Sequence, residues 1–78
     1  MADAATVIRR FAAHEFSVRR FYATDPEFRI LCDDYTDAVH ASMVWRHDTR
    51  KVEDYRRLID ELEDEILEFL VSHRPTTR

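Results

Sequence analysis

Four histidines and one cysteine are among the side chains in this 78-residue chain whose types suit nucleophilic, acid–base or metal chemistry. His40 has small neighbours in Ala38, Ala41 and Ser42, as a phosphoryl-accepting histidine on a helix face requires. No lysine or glycine lies near it in sequence, so it is read as a solvated histidine. His14 falls inside an apolar stripe, where a histidine is packed, hydrogen-bonded or interfacial rather than a catalytic base. Asp37 and His40, three residues apart, could begin a carboxylate–histidine metal site. Di-iron bundles, however, use paired glutamates and Glu-x-x-His motifs aimed inward, and no Glu-x-x-His occurs here. Cys32, His40 and His47 lack zinc-ligand spacing. No catalytic, cofactor-binding or metal-ligating residue is therefore assigned, and an enzyme is not expected.

Asp60, Glu61, Glu63, Asp64, Glu65 and Glu68 form an acidic run that could attract cations or a basic partner. Carboxylates on an exposed helix lack the cleft that perturbs a pKa for acid–base work. The run is read as mostly the solvated side of its helix. Arg9, Arg10, Arg19 and Arg20 sit near the N-terminus, where they could dock an acidic protein or an anionic surface. With Asp3 and Glu15 interrupting them, the signal for a membrane surface is weak.

The net charge of −4 argues against nucleic acid as a partner. Its distribution is uneven. Of 16 acids and 12 bases, residues 1–24 hold Asp3, Glu15 and the four arginines, leaving 14 acids and 8 bases to residues 25–78. There is no glycine, which removes Walker loops and dinucleotide fingerprints together. A single cysteine cannot form an internal disulfide and suits a reducing cytoplasm. No stretch approaches the roughly 20 apolar residues of a membrane span, and no apolar signal-peptide region is expected.

Three helices must position these residues. The first is predicted over about 4–22, with Asp3 as a candidate N-cap. Its stripe comprises Val7, Phe11, Val18, Phe21 and Tyr22, with Ile8 at the margin and Phe16 pointing away. The second starts at a break around Ala23-Thr24-Asp25-Pro26. Thr24 with Glu27 matches a capping box, and Asp25 before Pro26 matches an N-cap followed by proline. This helix should run over 26–45, with Phe28, Leu31, Cys32, Tyr35, Ala38, Val39, Ser42, Met43 and Trp45 on one face. Ile30 and Val44 point outward. After a polar link that Asp48 or Thr49 can cap, the third helix spans 49–73. Val52, Tyr55, Ile59, Leu62, Ile66 and Phe69 recur along it at spacings of three and four. Leu58 and Leu70 widen this stripe beyond a two-residue seam, which suits packing against more than one helix. Residues 74–78 read as a frayed tail.

Asp25-Pro26-Glu27-Phe28-Arg29, then Leu31, Asp34-Tyr35, Leu62 and Asp64-Glu65-Ile66, resemble the YdcH-like small bacterial proteins over about residues 25–70. The resemblance implies a helical hairpin and a bacterial source, and supplies no catalytic residues. The N-terminal helix and the Trp45-containing end of the second helix depart from that pattern.

These features predict an all-α single domain: an antiparallel helical hairpin preceded by an N-terminal amphipathic helix. The resulting three-helix bundle would close within the chain or by dimerisation. The expected function is protein–protein association, as a small adaptor or self-assembling homo-oligomeric subunit. Phe16, Ile30 and Val44 are the apolar interface candidates, because large residues outside the main stripes imply a second covered face. Docking on an acidic or anionic target through Arg9, Arg10, Arg19 and Arg20 is the alternative. A histidine phosphotransfer-type bundle acting through His40 is the third.

Overall fold

A computed structural model describes residues 4–72, so the candidate cap Asp3, the helix end at His73 and the tail lie outside the described residues. Within them the chain is all-α. It comprises α1 (Ala5–Arg10), a 3₁₀ turn (Ala12–His14), α2 (Glu15–Thr24), α3 (Pro26–Val44) and α4 (Thr49–Ser72).

The predicted first helix is in fact two. Phe11 leaves helical geometry at φ −120° and ψ 54°, and the chain re-enters α2 through the 3₁₀ turn. Two backbone donors flank the break with partners: Phe11 N–H bonds the Val7 carbonyl at 2.8 Å and His14 N–H bonds the Phe11 carbonyl at 2.8 Å. Neither glycine nor proline causes the break. Phe11 is buried there, together with Val7 before it and Val18 after it, so packing sets the change of direction. Val7 and Phe11 before the turn and Val18 after it are all buried, so their helical spacing in the sequence conceals the break.

The start of α3 follows the Asp25-Pro26 pattern rather than the capping box. Asp25 is extended, and its carboxylate accepts from Glu27 N–H at 3.0 Å and Phe28 N–H at 3.1 Å. Pro26 occupies the first turn, where its missing N–H costs nothing. Thr24 instead donates its hydroxyl to the Arg20 carbonyl at 2.8 Å, back-bonding at the end of α2. Asp48, rather than Thr49, receives the Lys51 N–H at 3.1 Å at the start of α4.

α3 and α4 form the hairpin, and α1 and α2 pack along α3. Phe28, Cys32, Tyr35 and Ala38 of α3 meet Leu62, Ile66 and Leu70 of α4 in the core, which Val7, Phe11 and Val18 complete. Phe21 joins Phe28 and Phe69 at centroid distances of 5.9 and 5.3 Å, and Phe28 lies 4.8 Å from Phe69. The stripe of α4 is thus sealed toward its C-terminal half. Val52, Tyr55 and Ile59 nearer the hairpin tip are only half-buried. Met43 and Trp45, expected on the inner face of α3, are exposed. They lie at the tip, away from the buried cluster that α1 and α2 complete. Trp45 receives Lys51 over its ring at 4.7 Å.

Leu62→Asp places a carboxylate in this core. Stability for a chain of this size is on the order of 4–12 kcal/mol, and an uncompensated buried charge costs several kcal/mol. The variant should lose its cooperative thermal transition by circular dichroism, whereas retained cooperativity would show that Leu62 does not hold the core.

Candidate functional site

Two features stand out beyond the core: a polar junction tying the helices together and a groove that the bundle leaves open. The junction centres on Glu63. Arg10 of α1 donates Nε to Glu63 Oε2 at 2.9 Å and Nη2 to Oε1 at 3.2 Å, a bidentate pair. Tyr35 of α3 donates its hydroxyl to the same Oε2 at 2.8 Å. One carboxylate on α4 therefore anchors three helices. Its hydrogen bond to Arg10 raises the guanidinium pKa. Burial, reinforced by the bond to Glu63, raises the Tyr35 hydroxyl, which keeps it a neutral donor. At the other end, Tyr22 of α2 donates to Asp33 Oδ1 of α3 at 2.9 Å. Burial followed by that bond raises its pKa. Arg29 covers the C-terminal end of α2, donating to the Tyr22 and Ala23 carbonyls at 3.1 and 3.4 Å while lying over the Tyr22 ring.

These contacts fix α1 and α2 to one side of the hairpin. On another side, α3 and α4 leave an open groove. One part is lined by Ile30, Leu31 and Phe69 between Glu27, Asp34, Glu65 and Glu68. It continues past Asp34 to Ala38, Ala41, Tyr55, Leu58 and Leu62. The floor is apolar and the rim acidic. Leu58, expected to widen the buried stripe of α4, instead lines this groove and is 42% exposed.

The structure scatters the sequence candidates. Phe16, Ile30 and Val44 point outward, at 77, 61 and 73% exposure, but only Ile30 lies in the groove. Val44 is at the hairpin tip and Phe16 on the outer face of α2. The four arginines are divided between two helices. Arg9 and Arg10 ride on α1 and Arg19 and Arg20 on α2, across the 3₁₀ turn. Arg10 is held by Glu63, and Arg19 pairs with Glu15 at 3.0 Å. His14 is half-buried at the 3₁₀ turn and His40 is exposed on α3. Among the described residues, no three His, Cys, Asp or Glu converge as metal ligands, and no helix is long and apolar enough to cross a membrane. Sequence reading missed Glu63, because nothing in an acidic run marks which member faces inward. Its position four residues after Ile59 and three before Ile66, at the edge of the apolar stripe, is the one available signal.

No family model, curated protein or solved structure matches the chain.

Glu63→Ala strands the buried Tyr35 hydroxyl and releases Arg10, and should cost about 1–3 kcal/mol in urea unfolding. An unchanged midpoint would remove the junction's structural role. Burial pushes the Cys32 thiol from its ordinary 9.0 up to about 12. The folded chain then holds a proton that the unfolded chain loses, so this contribution is intact below about pH 9 and is lost as pH rises toward about 12. Cys32→Val should lower the Tm at neutral pH by no more than a few degrees and fall less steeply than wild type across that alkaline window. Parallel Tm curves would count against a desolvated thiol.

Proposed function

We propose that this chain is a non-catalytic protein–protein association module, an adaptor or self-assembling subunit, with the α3–α4 groove as its contact surface. The supporting observation is the apolar floor left open between two helices, with Ile30 and Leu58 substantially exposed within it. A groove between paired helices with such anchors suits a third, amphipathic helix. Covering either side chain fully is worth up to roughly 1.5–3 kcal/mol before the cost of association. A reducing cytoplasm and a bacterial source of YdcH-like kind belong to the same proposal, on the single cysteine and the residues of 25–70.

Docking of an acidic or anionic target through the N-terminal arginines is the second reading. Exposure of Arg9, Arg19 and Arg20 favours it. Engagement of Arg10 with Glu63 and the turn between the two arginine pairs count against a single four-arginine face.

The test is Ile30→Ser combined with Leu58→Ser. Both positions are exposed, so circular dichroism should remain that of wild type. Sedimentation of the pure chain, together with crosslinking in cells of its source, should give complexes with identified components that the variant loses by about tenfold or more. Equal mass and equal recovery for the two proteins would overturn the groove as a contact surface.

A further inference from the structure

The groove has an acidic rim, and the same chain carries a surface of opposite charge and similar length. On α2, Phe16, Arg19, Arg20 and Ala23 are all exposed. They stand at i, i+3, i+4 and i+7, so they share one helix face. α2 turns Val18, Phe21 and Tyr22 toward its own bundle, which leaves this second face outward. It presents one large aromatic anchor, Phe16, beside two guanidinium groups. The Arg19–Glu15 pair does not withdraw Arg19, since an ion pair exposed at both ends is weak and readily exchanged. The ten residues of α2 span about 15 Å, and the groove from Ile30 to Ala41 on α3 spans about 16 Å.

We propose that the occupant of the groove is a second copy of this chain, which lays the outer face of α2 between α3 and α4. Phe16 packs on the apolar floor, while Arg19 and Arg20 meet rim carboxylates from among Glu27, Asp34, Glu65 and Glu68. This assignment rests on the association reading above and adds the partner to it. Charge decides between the ways two copies can meet. Groove against groove would bring Asp34 and Glu65 toward their own counterparts, and like charges across an interface oppose association. α2 against groove joins the arginine-bearing surface to the acidic one.

The two surfaces lie on different sides of the molecule. α2 meets α3 at Arg29 and Asp33. The groove uses Ile30 and Asp34, each one residue and 100° further round the helix. Each copy therefore has one basic helix face and one acidic groove, which can pair reciprocally in a two-fold dimer or head-to-tail in a ring or chain. Because the rim is exposed, salt weakens the contact: the screening length falls from about 8 Å at physiological ionic strength to about 3 Å at 1 M.

Sedimentation velocity on the full chain over a concentration series, at low salt and at about 1 M salt, tests this. Wild type should exceed monomer mass at low salt and move toward monomer at high salt. Arg19→Glu with Arg20→Glu, and separately Glu65→Lys with Glu68→Lys, should each weaken self-association by about tenfold or more, with helicity unchanged. An equimolar mixture of the two double variants should associate again, because each then offers a surface complementary to the other. A wild type that is monomeric throughout, variants that keep wild-type mass, or a mixture that stays monomeric would each overturn the proposal. If wild type is monomeric while Ile30→Ser/Leu58→Ser still abolishes identified complexes in cells, the second copy is the wrong occupant and the association reading stands. If that variant also changes nothing, both fail.

Discussion

Phe28, Cys32 and Ile66 are withdrawn from water because residues 4–24 lie across the α3–α4 hairpin. Two antiparallel helices alone have a seam and little interior, and a chain of this length buries only about 60% of the surface it exposes when unfolded. α1 and α2 supply the third layer, contributing Val7, Phe11 and Val18 to the core. What holds that layer in register is polar as well as apolar. Glu63 receives Arg10 and Tyr35, and Asp33 receives Tyr22. A carboxylate with directional partners selects one placement of α1 where apolar contact alone would tolerate sliding.

That placement is also what the sequence conveys least well. Helix identity and the hairpin are legible because Val52 to Phe69 recur at helical spacing and because Asp25-Pro26 and Asp48 are strong start signals. The choice between Thr24 and Asp25 as cap is not legible, since both patterns fit. It is settled by Thr24 turning its hydroxyl back to the Arg20 carbonyl. The bend at Phe11 has no local signal either. It comes from the gain in burying Phe11 against helices distant in sequence, and periodicity cannot report a turn that preserves the stripe. Met43 and Trp45 fail for the converse reason. Periodicity assigns them to the inner face, but a face is buried only where another element covers it, and they sit at the hairpin tip.

The same geometry explains which apolar residues remain outside. Outward orientation was legible for Phe16, Ile30 and Val44, because each departs from the stripe of its own helix. Their grouping was not, because it depends on how the helices pair. Ile30 and Leu58 come to line successive parts of one groove, whereas Val44 sits apart at the tip. Glu65 and Glu68, read as part of a solvated run, become the rim of that groove. The run is thus divided by the fold: Glu63 turns inward to Arg10, and Glu65 and Glu68 border an apolar floor.

Charge separation along the chain then bears on both folding and association. The N-terminal 24 residues carry the excess of arginine and the remainder the excess of acid, so attraction between the two parts assists closure of the bundle. Arg10 uses that attraction internally, in a bidentate pair. Arg19 and Arg20, beyond the turn on α2, face outward instead, and the carboxylates of the groove lie on a different side of the bundle from the helix that carries them. The turn at Phe11 therefore does more than seal the core. It assigns one arginine to the intramolecular junction with Glu63 and leaves a basic, Phe16-bearing face that its own acidic groove is not placed to receive. Attraction left unsatisfied within one molecule by geometry is available between molecules, and α2 is held against its own α3 by the Tyr22–Asp33 and Arg29–Tyr22 hydrogen bonds rather than laid along the groove.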